Sequence, residues 1–318
     1  MPRTVIVLGA GASKEVGLPT GEELKQRIAD LLNIRFDVNR LKSGDAEIVE
    51  AVGIHIHPGR DVNPYLQVGR HIAAAMPQAI SIDNFIDAHK GDSKIEILGK
   101  LAIVRAILHA ERHSTLFHDT TRSDPFQHSR IAGSWFNSFF QLLTENCREA
   151  DLEQRLATVT LIVFNYDRCI EQYLYHALQT YYRMSAERAG SLVKKMRIFH
   201  PYGSVGGLPW YGGTNTSDFG YDPPRASDLL KLAKGIKTFT EGTDPSSSDI
   251  ADIRARVIAA ERLVFLGFAF HPLNLELLWD KERQPGIAII KCFATGKGIS
   301  QSDVQAITAD LVRFANPA

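Results

Sequence analysis

The sequence has few cysteines and no long apolar run, and both shortages exclude classes of protein. Its 318 residues include three cysteines, Cys147, Cys169 and Cys292, which are far apart and form no CxxC pair. A disulfide framework and a four-cysteine zinc site are therefore not expected. No stretch approaches the ~18 apolar residues of a membrane span, and the opening VIVL run is too short for the core of a signal peptide. We expect a soluble, cytoplasmic protein without membrane contact.

The sequence also lacks an excess of charge of either sign. Thirty-six basic residues balance 36 acidic ones, and the isoelectric point is near 7.2. A neutral chain offers no general electrostatic attraction for nucleic acid, so direct nucleic-acid binding is not expected. Hydrophobic residues make up 44% of the chain, which favours a well-buried core over disorder.

Several catalytic signatures are missing as well. The chain has no GxSxG nucleophile turn and no lysine-containing phosphate loop of the Walker type. His109 and His113 lie four residues apart in HAERH, which is metal-binding spacing without the HExxH order. From the sequence we therefore expect no metal.

Short apolar runs rich in β-branched residues are what the sequence does contain. They read as continuous apolar segments, which is typical of strands buried on both faces of a parallel sheet. The predicted strands are Val5–Leu8, Thr160–Phe164, Arg197–Phe199, Arg262–Leu266 and Ile287–Phe293. Amphipathic segments separate them, so the predicted fold is α/β, with a Rossmann-like parallel sheet flanked by helices.

The spacing of these strands predicts an insertion. Only the first strand lies in the N-terminal half, and residues of about 35–155 read as mostly helical. We interpret this segment as a helical lobe inserted into one domain of residues 1–318. A capping box, Thr20 to Glu23, predicts where the first long helix begins.

Ligands of open parallel sheets bind beyond the carboxyl ends of the strands, so the residues that follow each strand are the candidates for a site. The first strand is followed by GAGAS, which starts at Gly9 and is typical of a phosphate-binding turn before a helix. Lys14 stands where a dehydrogenase fingerprint has its third glycine, and this disfavours hydride transfer. The second strand is followed by Asn165, which fits either a helix cap or a catalytic amide. His200 follows the third strand, beside a glycine-bearing loop suited to ligand entry.

Taken in order, these segments resemble a known family. GAGAS with GLPTG, then FNYD, HPYGS and FLGFAF with a later asparagine, resemble the sirtuin-like NAD-binding fold, in its prokaryotic NAD-hydrolase branch. The SIDNF segment at residues 81–85 is similar to one common in that branch, and the resemblance spans residues of about 5 to 275. Sirtuins continue their first motif into Pro-Asp-Phe-Arg, whereas this chain has Leu-Pro-Thr-Gly at 18–21. The missing four-cysteine module is a second departure from the protein deacylases.

The resemblance implies a set of site residues. It places the catalytic asparagine at Asn165 and the catalytic histidine at His200. It places NAD-binding residues at Gly9, Ala10, Gly11, Ala12 and Ser13 in the phosphate loop, and at Thr20, Asp83, Asp167, Ser204, Gly267, Phe268 and Asn274 elsewhere.

The implied reaction is hydrolysis of the bond between nicotinamide and ribose in NAD, with no metal. Asn165 would hold water and a ribose hydroxyl, and His200, with an ordinary pKa near ~6.5, would accept a proton. Because uncontrolled NAD hydrolysis would kill a cell, we expect control by homo-oligomerisation or by a co-acting partner protein such as an ATPase or a sensor. The resemblance implies an antiphage defence effector. Two alternatives stay open: an NAD-dependent deacylase or ADP-ribosyltransferase, and a non-catalytic subunit that binds NAD or ADP-ribose.

Overall fold

A parallel sheet of five strands lies at the centre of the computed structural model, which describes residues 2–56, 59–119, 121, 124–238, 241, 249–279 and 291–315. Two further short strands form a separate antiparallel hairpin. In chain order the strands are β1 (Thr4–Leu8), β2 (Arg35–Asp37), β3 (Arg40–Ser43), β4 (Val159–Val163), β5 (Arg197–Phe199), β6 (Arg262–Leu266) and β7 (Lys291–Ala294).

The strand order of the main sheet is β5-β4-β1-β6-β7, and every neighbouring pair is parallel. Among these five strands the chain therefore runs outward from the centre in one direction and then returns to build the other side. This is the doubly wound order, whose switch point lies between β1 and β6. The prediction of a Rossmann-like α/β fold is confirmed.

Four of the predicted strands are found within one residue of the expected bounds. The fifth prediction, Ile287–Phe293, falls partly on residues 287–290, which lie outside the described residues. Its described residues, 291–293, lie in β7, which is exposed at all four of its positions, so the expectation of burial on both faces is wrong there. β7 pairs with β6 and ends the sheet order on that side, where less packing covers a strand.

Helices surround this sheet and fill the long connection between β1 and β4. The first eight α-helices are α1 (Ala10–Ser13), α2 (Gly21–Leu32), α3 (Ala46–His55), α4 (Asn63–Ala75), α5 (Ile82–Ala88), α6 (Ser93–Arg112), α7 (Trp135–Thr144) and α8 (Leu152–Leu156). The others described are α9 (Cys169–Tyr182), α10 (Ala186–Lys195), α11 (Ala226–Ala233), α12 (Ile250–Ile258), α13 (Pro272–Leu278) and α14 (Gln301–Ala315). None of the helices in these ranges is long and apolar enough to cross a membrane.

Alternate residues of β1 face opposite sides of the sheet, and each side has its own core. Val5 and Val7 pack with apolar residues of α2, α3, α4, α6 and α11. Ile6 and Leu8 pack with apolar residues of α7, α9 and α10. The sheet is therefore the middle layer of three.

The segment predicted as a helical lobe contains α3 to α8, and it also contains the β2–β3 hairpin, which the sequence did not predict. The hairpin turns at Val38, a β-branched residue at φ 54, so no glycine marks the turn. At the start of α2 the predicted capping box is present: the Thr20 hydroxyl accepts from the Glu23 backbone N–H, and the Glu23 carboxylate accepts from the Thr20 N–H. The division into one NAD-binding domain with an inserted lobe stays a prediction.

Candidate functional site

Three strand ends meet at the centre of the sheet because β4, β1 and β6 are neighbours whose last residues pair with one another. Leu8, the last residue of β1, pairs with Val163 on one side and with Leu266 on the other. The loops that begin at Gly9, Phe164 and Gly267 therefore leave the sheet at the same level. This is the edge at which the sequence predicted a ligand site.

Asn165 is almost fully buried at this edge, with 7% of its surface exposed. Its side-chain nitrogen donates to the Gly9 carbonyl at 3.1 Å and to the Ser13 hydroxyl at 3.1 Å. Because the Gly9 carbonyl can only accept, the amide nitrogen must face it, and Oδ1 points the other way. In the described part of the chain no donor reaches Oδ1. A buried acceptor without a donor costs about 1–3 kcal/mol, so a ligand hydroxyl or a water bound here would be stabilised.

A hydroxyl relay continues from Asn165. Ser13 Oγ donates to Asp167 Oδ1 at 3.1 Å, and the same carboxylate oxygen accepts from the Cys169 backbone N–H at 3.1 Å. Burial raises the pKa of Asp167, and the nearby charge of Glu111 raises it further, against the opposing effect of these hydrogen bonds. Asp167 thus satisfies the start of α9, and the side chain of Asn165 does not cap that helix.

His200 lies beside Asn165 but is not a free base. Its Nδ1 is 3.2 Å from the Asn165 carbonyl oxygen, and its Nε2 is 2.7 Å from Glu171 Oε1. The Asn165 carbonyl can only accept, so Nδ1 carries a proton, and the Glu171 carboxylate beside Nε2 favours the doubly protonated, cationic ring. Burial alone would lower the pKa of His200, but the Glu171 carboxylate, with help from the Asn165 carbonyl, raises it above the ordinary value. The expectation of an ordinary imidazole pKa is therefore wrong.

Glu171 is the residue of this site that sequence reasoning missed. It lies in the first turn of α9 with 4% of its surface exposed, and Oε2 has no donor among the described residues. A signal was present: Glu171 is spaced three and seven residues from Leu174 and Leu178, on the apolar face of the helix. A carboxylate on such a face needs a cationic partner, and His200 supplies it.

The glycines of the first loop serve the packing of two backbone turns. The Gly9 and Gly11 N–H groups donate to the carbonyls of Leu266 and Gly267, each at 3.0 Å. A Cβ on Gly9 would lie 2.4 Å from the Gly267 oxygen, and Gly267 itself has φ +56. We expected the Gly9–Ser13 amides to hold a pyrophosphate. In this arrangement the Gly9 and Gly11 amides, and that of Ala12, which donates to Gly9 O at 2.9 Å, are already bonded. Phosphate binding would depend on donors other than these three amides.

The remaining predicted residues divide into two groups. Asn274 belongs with the site edge, because its Oδ1 accepts from the Tyr202 hydroxyl at 2.7 Å. Asp83 belongs to the same group, because its charge acts on Tyr202. The pKa of Tyr202 is raised mainly by burial, and the nearby charge of Asp83 raises it further. Burial also raises the pKa of Asp83 to about 7, so this carboxyl is partly protonated near neutral pH.

The side chains of the second group already bond to, or pack against, other residues of the protein. Thr20 caps α2, and Ser204 Oγ donates to the Gly206 carbonyl at 3.4 Å. Phe268 is buried in an aromatic cluster, edge-on to Phe164 at a centroid distance of 5.1 Å. Phe268 was expected among the NAD contacts, and its ring packs among apolar core residues.

A buried ion pair supports the loop that carries Asn165 and Asp167. Arg168 Nη2 lies 2.5 Å from Glu111 Oε2, and the two side chains are 2% and 0% exposed. Arg168 also donates to the carbonyls of Ser217 and Asp218, and Glu111 accepts from the Gly220 N–H at 3.1 Å. The pair therefore joins α6, the start of α9 and the 217–220 loop.

Two surface cavities lie away from these residues. One of about 420 Å³ is lined by residues between Pro209 and Leu232, and one of about 850 Å³ lies between α7 and α9. Neither is lined by a predicted site residue. We place the candidate site at the strand ends, because the unsatisfied buried polar atoms of Asn165 and Glu171 lie there.

The fold defines the chain as a Rossmann-like α/β protein. Comparison with models of protein families, with curated proteins and with solved structures finds no match. The resemblance to sirtuin-like NAD hydrolases therefore stays a prediction that depends on the quoted motifs.

Proposed function

We propose that the chain is an NAD⁺ hydrolase that cleaves the nicotinamide–ribose bond. The observation that carries this proposal is Asn165 Oδ1, a buried acceptor at the carboxyl edge of the central strands with no donor among the described residues. A ribose hydroxyl or the attacking water would supply the missing hydrogen bond. Doubly wound sheets bind nucleotides at this edge, which adds support from the fold.

The reaction needs little covalent help from the protein. The bond between C1′ and the nicotinamide nitrogen breaks with its electron pair going to nicotinamide, which leaves as a neutral molecule. Water forms the new C1′–O bond and releases one proton, so the products are nicotinamide, ADP-ribose and H⁺. Catalysis then depends on holding the ribose and the water in line, which a fixed amide oxygen can do.

The side chains take distinct roles in this proposal. Asn165 contacts the substrate through Oδ1, and the Gly9 carbonyl and Ser13 hydroxyl fix its amide nitrogen. His200 has no free lone pair, so it is a positioning residue that holds the Asn165 backbone, and Glu171 keeps it charged. The Glu171 carboxylate also offers negative charge beside a reaction centre that becomes positive in the oxocarbenium-like transition state.

The test is nicotinamide release from NAD⁺ by the purified chain, followed by chromatography. Asn165→Ala should lower turnover by about 10²–10³-fold, as expected for loss of one preorganised polar group. Asn137→Ala is the matched control, because Asn137 lies on α7 and its side chain donates only to the nearby Ala132 carbonyl among the bonds described. Melting temperatures show whether each variant is folded. Equal turnover by folded Asn165→Ala and wild type would refute the assignment.

One observation favours a second candidate, a non-catalytic subunit that binds NAD or ADP-ribose. The imidazolium of His200 cannot accept a proton while Glu171 is bound to it. Calorimetry with NAD⁺ separates the two functions: a binder gives heat of binding without nicotinamide release, and a hydrolase gives both binding and release.

Control of the activity and the biological role follow from the resemblance alone. We propose that homo-oligomerisation or a co-acting partner protein restrains the hydrolase, and that the chain acts as an antiphage defence effector. Turnover per chain that changes with protein concentration would support control by self-assembly.

A further inference from the structure

The C-terminal end of α6 brings together three side chains that the proposed hydrolase site does not use. His109 lies in the last turn of this helix, His113 directly follows its last residue, and the structure adds Asp222 from a distant loop. The sequence alone showed two possible metal ligands in an order that disfavoured a metal. The third donor is the new observation.

The three groups are close enough to share one ion. One ring nitrogen of each histidine and one Asp222 carboxylate oxygen all lie within 4.8 Å of one another. Around a tetrahedral zinc ion with bonds of about 2.0–2.1 Å, ligand atoms are roughly 3.3 Å apart. His109 is about half exposed, so a side-chain rotation can close this difference without moving the backbone.

Hydrogen bonds already orient two of the donors as ligands. His113 Nδ1 donates to the His109 carbonyl at 2.8 Å, which leaves the Nε2 lone pair free. A backbone carbonyl on the second ring nitrogen is the usual support of a metal-binding histidine. Asp222 is held by Arg105 through one oxygen, and its other oxygen lies 2.8 Å from His109 Nδ1. Arg105 also bonds Asp45 at 2.9 Å, which offsets its positive charge near the cluster.

The loop that carries Asp222 is fixed against the helix that carries the histidines. Gly220 has φ +71, and a Cβ there would lie 2.8 Å from the Arg112 Cα, so the two backbones touch. The Gly220 N–H also donates to the buried Glu111 carboxylate. Donors on two rigidly joined elements lose little freedom on binding, which is what a metal site requires.

We propose that His109, His113 and Asp222 bind a divalent transition metal of the kind that prefers imidazole, with Zn²⁺ as the reference ion. Two imidazoles and one carboxylate suit this class better than Mg²⁺ or Ca²⁺, which prefer oxygen ligands. Three protein ligands leave at least one position for water or an added ligand. The proposal is independent of the hydrolase function.

The experiment uses the full chain after treatment with a chelator. Zn²⁺ is titrated by calorimetry, and Co²⁺ is added separately to record its visible absorption bands. We expect one equivalent of either ion to bind and Co²⁺ to give bands of low, four- or five-coordinate symmetry. His113→Ala should weaken Zn²⁺ binding by at least about tenfold and remove these bands.

The matched control is His55→Ala, because His55, like His113, is an exposed histidine at the C-terminal end of a helix. It should leave both readouts unchanged. Asp222→Asn tests the third ligand and should also weaken binding about tenfold. Asp222 also pairs with Arg105, so if Asp222→Asn does not fold, the result for the exposed residue His113 is the decisive one. Equal Zn²⁺ affinity of wild type and His113→Ala would overturn the proposal.

Discussion

Replacing Arg168 by methionine would leave the Glu111 carboxylate buried without its cation. In the folded protein the two side chains are 2% and 0% exposed, and the guanidinium bonds both carboxylate oxygens. Breaking a buried pair in this way costs about 3–5 kcal/mol, because the remaining charge keeps its desolvation penalty. This is a large share of the roughly 5–15 kcal/mol that holds a domain folded.

The expected shift in melting temperature follows from chain length. With about 2.1 cal/mol/K per residue, unfolding of 318 residues has an entropy of roughly 0.7 kcal/mol/K. A loss of about 4 kcal/mol then lowers the melting temperature by roughly 6 °C, which differential scanning calorimetry measures easily.

Two controls make this prediction sharp. The Lys195–Glu153 pair is half exposed on both sides, so Lys195→Met should leave the melting temperature unchanged within error. The double variant Glu111→Leu with Arg168→Met removes both charges, and it should be more stable than Arg168→Met alone. If Arg168→Met and Lys195→Met lowered the melting temperature equally, burial would not be the source of the effect.

Three further predictions concern the site edge. The raised pKa of His200 means that its pair with Glu171 stabilises the fold fully below about pH 6.5, the ordinary histidine value, and less as the pH rises through the raised value. Glu171→Gln should remove this loss, and NMR titration of the ring should show a lower pKa. Asp83 has the opposite dependence, because its pKa of about 7 lies above the unfolded value of about 4. Stability should fall by up to a few kcal/mol as the pH rises from about 4 to 7 and stay lower above about pH 7. Asp83→Asn should flatten this dependence in melting curves. Gly267→Ala should lower the free energy of unfolding by more than the roughly 1–2 kcal/mol of a left-handed backbone, because its Cβ would lie 2.0 Å from a backbone nitrogen. Urea unfolding measures this change. The control is Gly21→Ala, which has open space around it and should not destabilise the fold.

Sequence reasoning located the sheet because its central strands are continuous apolar runs, a pattern that needs no knowledge of partners. The rule that ligands bind beyond the carboxyl ends of parallel strands then placed Asn165 and His200 near each other, and their hydrogen bond at 3.2 Å agrees with that. The sequence alone could not decide whether the Asn165 side chain caps a helix. Only the structure shows that Asp167 bonds the first turn of α9 instead.

What sequence reasoning missed depends on contacts between distant segments. The Gly9 and Gly11 turn looks the same whether it holds a phosphate or packs on another backbone, and the deciding neighbour, Gly267, is far along the chain. The charge state of His200 depends on Glu171. Glu171 lies on the apolar face of a helix, and its position in the sequence does not show which residue it pairs with. Such pairings carry no local periodicity, so only the fold reveals them.

The position of β1 in the sheet has a consequence for synthesis on the ribosome. Thr4 pairs with Val159 and with Arg262, so the two strands that pair with the central strand are translated about 155 and 258 residues after it. At about 5–20 residues per second, β4 is translated roughly 8–30 s after β1, and β6 roughly 13–50 s after it. During that time the VIVL segment has no sheet partner, so its apolar side chains must be covered by nascent helices or by a chaperone until the sheet closes.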